Sequence, residues 1–163
     1  IFPGFRFQNN FLDIISKGND TLYACGESGK IVKTTDAGKN WHEQTLRLTD
    51  NLNTLYFVTN NFGFIGGQKG DIIRTTDGGE TWTTIKTGIR ASIIELRFFD
   101  LQHGFAVSSS GEIEETKDGG LTWLIRNTDN YGASDLTKVV IKDEHTVFGV
   151  SRAAIYTYDL DQK

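Results

Sequence analysis

Thr75-Thr76-Asp77-Gly78-Gly79-Glu80-Thr81-Trp82 recurs, with small changes, as Thr34-Thr35-Asp36-Ala37-Gly38-Lys39-Asn40-Trp41 and as Thr116-Lys117-Asp118-Gly119-Gly120-Leu121-Thr122-Trp123. The three tryptophans stand 41 residues apart. The chain is therefore an internal repeat, and that decides the fold before any residue preference does. What the copies share is expected to build a scaffold, so function is to be sought where they differ.

Working outward from the phrase, three apolar runs precede each tryptophan: 52–59, 63–68 and 71–76 in the second copy, 94–100, 104–110 and 112–117 in the third. They are short and rich in Val, Ile, Phe and Thr, which reads as strands. Asn60-Asn61, Lys69-Gly70 and Gln102-His103 are turn-type connectors between them. A fourth strand starts at each tryptophan, 41–45, 82–86 and 123–127. No stretch keeps a 3.6-residue period, so no helix is expected. Four-stranded antiparallel meanders repeated every 40 or so residues are blades of an all-β propeller.

The blades are expected at about 11–48, 49–89, 90–130 and 131–163, within one domain spanning residues 1–163. The fourth copy is worn: Thr157 and Asp159 stand 41 residues after Thr116 and Asp118, and no Gly or Trp follows. Ile1 to Gln8 alternates aromatic with polar residues and is a candidate closing strand for that blade, with residues 1–10 as its extent. Two architectures follow, a closed four-bladed ring or about half of a larger propeller completed by a longer chain or by a second copy. The chain begins at Ile1 and holds no Met, which reads as a processed product or an excised fragment.

The phrase has a physical reason that needs no catalysis. Asp36, Asp77 and Asp118 end a strand where a carboxylate accepts the N–H groups of the following turn. Gly38, Gly79 and Gly120 supply positive φ for a sharp reversal. Trp41, Trp82 and Trp123 return to the space between blades, where burying each ring is worth about 2–3 kcal/mol.

Composition excludes several classes. A formal charge of −4 with interspersed signs argues against nucleic-acid binding. No apolar run approaches the ~18 residues of a membrane span. Cys25, the single cysteine, forms no intramolecular disulfide and reads as a small core hydrophobe. His42, His103 and His145 are scattered, so no metal and no cofactor are expected. Glu112, Glu114 and Glu115 offer a possible carboxylate pair, since alternation puts Glu112 and Glu114 on one face about 7 Å apart. A solvated blade edge is the preferred reading of that run.

Thr-x-Asp-x-Gly-x-(Thr/Asn)-Trp resembles the Asp-box, or bacterial neuraminidase repeat. With the preceding Gly63-Phe64-Ile65-Gly66 and Gly104-Phe105-Ala106-Val107 strands, the chain is most similar to the photosystem II stability/assembly-factor-like propellers and their non-photosynthetic bacterial relatives. The resemblance runs from Phe11 to Asp159 and implies a propeller fold and export to the periplasm or cell exterior. Sialidases and other glycosidases share the Asp-box, but no Arg or Tyr here stands in a context that marks an arginine trio or a tyrosine nucleophile.

Topology then places the recognition surface. The Asp-box turns crowd one end of the blades, so a binding site is expected at the other end or in the central opening. Arg47, Arg90 and Tyr131 on the links between blades, with Lys69 and Arg152 on the turns between second and third strands, are the candidate contacts. Three residues before the box Asp stand Lys33, Arg74, Glu115 and Tyr156; Lys33 and Arg74 form a possible basic spot for an acidic partner. The expected function is a non-catalytic binding module for a protein or cell-surface partner. The alternatives are a glycan-binding or glycosidase-like domain and a purely structural propeller segment, with a homodimer as a possible assembly.

Overall fold

The computed structural model describes residues 8, 10–46, 48–126 and 135–161. Of the sequence candidates, Arg47, Tyr131 and the closing strand up to Phe7 lie outside the described residues. Three four-stranded antiparallel sheets run in simple order. They are β1 to β4 (Phe11–Lys17, Thr21–Gly26, Lys30–Thr34, His42–Thr45), β5 to β8 (Leu52–Phe57, Gly63–Gly67, Ile72–Thr75, Thr83–Ile85) and β9 to β12 (Ile93–Phe98, Gly104–Ser108, Ile113–Thr116, Leu124–Ile125). A fourth sheet has three strands among the described residues, β13 to β15 (Lys138–Ile141, Thr146–Val150, Ile155–Asp159). The only helical pieces among the described residues are two single 3-10 turns, Glu27–Gly29 and Gln68–Gly70. Among the described residues no helix is long and apolar enough to cross a membrane.

The sheets stack as propeller blades, with β1, β5, β9 and β13 side by side along the inner edge. Both faces of an internal blade must be apolar, because each packs on a neighbour. Blade 2 shows this: Leu55, Ile65 and Ile73 share one face in a row and join Tyr23, Cys25 and Ile31 of blade 1. Tyr56, Phe64 and Ile72 on its other face join Ile93, Leu96, Phe98 and Ala106 of blade 3. A third seam, Phe105, Val107 and Ile113 against Val139, Ile141, Val147 and Tyr158, binds blade 3 to blade 4. Cys25 is part of the first seam, its Sγ against the Leu52 carbonyl at 3.3 Å, and burial pushes its thiol pKa far up.

The fourth blade departs from the 41-residue beat. Cys25–Ile31, Gly66–Ile72 and Val107–Ile113 are equivalent cross-strand pairs, and the matching pair in blade 4 is Val150–Ile155. Thr157, opposite Phe148, therefore takes the place that Glu115 holds opposite Phe105. Tyr156 is not the fourth member of the Lys33, Arg74, Glu115 series; it packs back on the blade 3–4 seam. The sequence beat missed this because blade 4 starts two residues late, Lys138 standing 43 residues after Glu95, and its second hairpin, one residue shorter than its predecessors, takes back only one of them.

The ring is not closed. Tyr23, Phe64 and Phe105, each covered by the next blade, are 1%, 0% and 0% exposed, whereas the equivalent Phe148 is 37% exposed. Ile31, Ile72 and Ile113 are each 0% exposed, and their counterpart Ile155 is 79% exposed. Val140 and Val150 complete this bare face of blade 4. The fold is an open arc of Asp-box blades.

Candidate functional site

The Asp-box turns are closed on themselves. Thr75 Oγ1 donates to Asp77 Oδ1 (2.8 Å) and accepts from Gly79 N (2.9 Å). The Asp77 carboxylate also takes Thr81 N (2.9 Å) and Thr81 Oγ1 (2.5 Å). The first and third boxes repeat this around Asp36 with Asn40, and around Asp118 with Thr122. Bonds from the Asn40 backbone and side chain hold the Asp36 pKa down to about 2. The Thr81 hydroxyl and N–H do the same for Asp77, also to about 2, and Thr122 lowers Asp118. Gly38, Gly79 and Gly120 have φ of 84°, 78° and 75°. A Cβ at Gly120 would lie 2.4 Å from the Phe64 ring.

Trp82 fills the first seam, edge-on to Phe57, with Nε1 donating to Gln44 Oε1 at 3.1 Å. Trp123 stands perpendicular to Phe64 and Phe98 in the second. Trp41 is half-buried beside Gly38. The Asp36, Asp77 and Asp118 carboxylates are thus committed to closing their own turns.

Lys33 and Arg74 are spent in the same way. Lys33 reaches the next blade's box turn, pairing with Glu80 and donating to Gly78 O at 3.4 Å. Burial opposes its charge, but the Glu80 and Tyr23 bonds outweigh that and raise its pKa. Arg74 Nε donates to Gly119 O at 2.9 Å, with its guanidinium 4.8 Å from the Phe62 ring centre. Glu115, the third of the series, is mostly buried between His103 Nε2 (2.8 Å) and Arg126 Nη1 (3.1 Å). Glu114 is buried outright. The acidic run is thus no solvated edge, because β11 is an interior strand with a blade against each face.

Of the remaining candidates, Lys69 is exposed and pairs with Asp50 at 2.7 Å, and Arg90 and Arg152 are exposed on separate loops. The structure does not bring these three into one cavity. His42, His103 and His145 do not converge, and among the described residues no group of three or more His, Cys, Asp or Glu is placed to hold a metal.

A different site lies on the axis. In each of the first three blades the box turn is tied to the turn that follows the inner strand, by Ala37 N to Asp20 O, Gly78 N to Asn61 O and Gly119 N to Gln102 O. The starts of the inner strands therefore mark the opposite end. There Leu12, Asp13, Ile15, Asn53, Thr54, Leu55, Ile94, Glu95, Thr137 and Lys138 line a groove of about 440 Å³ to which all four inner strands contribute.

Asp13, Thr54, Glu95 and Lys138 occupy one register position, opposite Cys25, Gly66, Val107 and Val150 respectively. One position, four blades, gives four different side chains, whereas their partner strands stay apolar. Asp13 Oδ2 accepts Leu55 N at 2.7 Å, and Oδ1 accepts Ile14 N at 2.8 Å, which fixes that carboxylate between blades 1 and 2. Asn53 Nδ2 donates to Ile93 O at 3.2 Å between blades 2 and 3. Glu95 is half-buried and has no hydrogen bond or ion pair among the described residues. Burial raises its pKa to about 7; Lys138 opposes the shift, Asp13 adds to it, and Arg97 opposes it.

Sequence reasoning missed this set. Asp13, Thr54 and Glu95 do fall on the 41-residue beat, so alignment of the copies at the inner strand shows them. Lys138 comes 43 residues after Glu95, and the two extra residues ahead of it hide it from the beat.

The sequence profile of photosynthesis system II assembly factor YCF48 matches residues 3–76 and again residues 76–159. The chain belongs to the YCF48 family. Among solved structures it is similar to YCF48 bound to D1 peptide, with TM-score 0.80 and 20% identity over 99% of this chain and 57% of that one. YCF48 from Cyanidioschyzon merolae gives TM-score 0.75 and 18% identity over 96% and 55% of the two chains. An ancestral GH74 enzyme shares the fold at TM-score 0.74 and 17% identity, covering 92% of this chain and 23% of that one. A search of curated protein sequences returns no match. The chain spans a little over half the length of the two YCF48 structures. At these identities the likeness to solved structures concerns the fold, and YCF48 family membership rests on the profile.

Proposed function

We propose that this chain is the recognition portion of a non-catalytic, assembly-factor-like propeller that holds an extended segment of a partner protein in the axial groove. The observation that carries the reading is the ring Asp13, Thr54, Glu95, Lys138, where one register position presents four different side chains to a single cavity. Polar side chains interspersed with Leu12, Ile15, Leu55 and Ile94 suit a peptide, which needs hydrogen-bond partners for its main chain and apolar contact for its side chains. A YCF48 structure bound to D1 peptide supports a peptide as the ligand class. In this reading the protein works outside the cytoplasm, an expectation that comes from the family resemblance of its sequence alone.

A carbohydrate-active role has one feature in its favour, since Asp13 and Glu95 line the same groove from blades 1 and 3. Among the described residues no Trp or Tyr lines that groove to form a sugar platform, so the peptide reading is preferred. The test is selection of a random dodecapeptide library on the immobilised protein, followed by Thr137→Trp to fill the groove from an exposed position. Selected peptides should bind Thr137→Trp at least about tenfold more weakly, with the melting temperature unchanged. Peptides that bind both proteins equally would put recognition elsewhere, and hydrolysis of an aryl glycoside lost in Glu95→Gln would favour the carbohydrate reading.

A further inference from the structure

We infer that the Asp13–Thr54–Glu95 sector of the groove is a pocket for a basic side chain, the ammonium of a lysine or the guanidinium of an arginine on the bound segment. This deepens the peptide reading above and rests on it.

The argument begins with what Glu95 lacks. A carboxylate drawn halfway out of water is stabilised only by hydrogen bonds or an opposite charge, and the protein supplies Glu95 with no direct partner among the described residues. The other carboxylates of the interior are handled differently. Asp13 accepts two backbone N–H bonds, Glu115 has His103 and Arg126, and Glu114 has the Gly88 N–H at 2.7 Å. Glu95 alone among these four faces the cavity without one. An occupant of the groove is therefore positioned to supply the partner that the protein does not.

The surroundings select the sign and position of that partner. On β1 the fixed Asp13 adds a second negative group, and on β5 Asn53 and Thr54 bring polar atoms without charge. The cations nearby are Arg97 on β9 and Lys138 on β13, both exposed; Arg97 lies 6.0 Å from the Phe99 ring centre. Neither comes within ion-pair distance of Glu95, although both have long and adaptable side chains. Lys138 closes the far side of the ring and repels a second cation, so a ligand's positive group is confined to the sector between blades 1 and 3. Leu12, Ile15, Leu55 and Ile94 accommodate the methylene stem that carries such a charge.

Binding of a cation here must be coupled to a proton. In the empty groove Glu95 is about half protonated near neutral pH, because burial lifts its pKa to about 7. An ammonium or guanidinium favours the carboxylate, so complex formation expels that proton, and affinity rises with pH up to the pKa of the free protein and then levels.

The random dodecapeptide library tests this directly. Pools selected on the wild-type protein at pH 8 should be enriched in Lys or Arg, and their affinity should increase about tenfold between pH 6 and pH 8. On Glu95→Gln the same peptides should bind at least about tenfold more weakly, with a flat pH profile and an intact melting transition. Replacing the basic residue of a selected peptide by norleucine should have the same effect on the wild-type protein. Groove-blocked peptides that are neutral or acidic, or whose pH profile Glu95→Gln leaves unchanged, would overturn the inference while leaving the peptide reading in place. A selection that yields no peptide displaced by Thr137→Trp would overturn both.

Discussion

Each box turn forces two successive residues into left-handed backbone, and the first box does so with an alanine. Ala37 has φ of 57° where Gly78 and Gly119 have 73° and 69°. All three donate their N–H to the neighbouring turn, so the geometry is imposed by the same bond in each blade. An L-residue there costs on the order of 1 kcal/mol, partly offset by the greater entropy that glycine loses on folding. Ala37→Gly is therefore expected to raise stability by up to about 1 kcal/mol, read as a higher urea midpoint at unchanged slope. The reverse change should hurt more, because a Cβ at Gly119 would meet the Leu101 carbonyl oxygen at 2.9 Å. If Ala37→Gly lowered the midpoint, the turn would be holding its residue by something other than φ. This much was legible in the sequence, since Asp, Gly and Trp at fixed spacing specify the turn. That Gln44 satisfies the Trp82 indole while Trp123 Nε1 has no partner among the described residues was not, because it depends on what the preceding blade presents.

At the scale of a strand, β11 shows why the acidic run misleads. The cross-strand pairs Ala24–Val32, Ile65–Ile73 and Ala106–Glu114 are equivalent, so Glu114 stands where its sister blades place Val and Ile. Its Oε1 accepts Gly88 N, but Oε2 has no partner among the described residues. Sequence alternation separates the two faces of a strand, yet it does not say whether a face meets water or another blade. Here it meets blade 2. Burial raises the Glu114 pKa, against the hydrogen bonds from Gly88, Thr87 and Ile89, and Glu112 adds to the rise. For an acid whose folded-state pKa lies above its unfolded value of about 4.5, the unfolded chain ionises first. Stability is then highest below that value and falls as pH rises toward the folded-state pKa. Glu114→Gln should remove this part of the slope, matching the wild type at pH 4 and exceeding it at pH 8 by about 1–3 kcal/mol, the cost of keeping an incompletely hydrogen-bonded charge buried. Chemical denaturation at the two pH values checks it, and a variant less stable than wild type at pH 8 would show that the buried charge is compensated.

For the molecule as a whole, the strand count and blade stacking followed from the repeat, but the state of its end face did not. A 41-residue beat says that every blade resembles its neighbour; only packing shows that three seams are filled and a fourth face is bare. Equivalent residues make the contrast measurable. Ile72 and Ile113 are sealed between blades, so a lysine there would bury an unpaired charge and cost several kcal/mol, enough to unfold most small domains. Ile155 occupies the same position in blade 4 with most of its surface in water. Ile155→Lys should therefore change stability by no more than about 0.5 kcal/mol. Together with Phe148→Ser it should also reduce binding of an apolar dye and concentration-dependent association, because the patch formed with Val140 and Val150 is broken. Urea denaturation of the isolated 163-residue chain, with dye fluorescence and sedimentation alongside, separates the cases. Should Ile155→Lys unfold the chain as Ile113→Lys does, the fourth face would be covered in solution and the arc would be closed. The axial groove gains from the outcome expected here, since inner strands held by three complete seams keep Asp13, Thr54 and Glu95 in register whatever becomes of the outer face of blade 4.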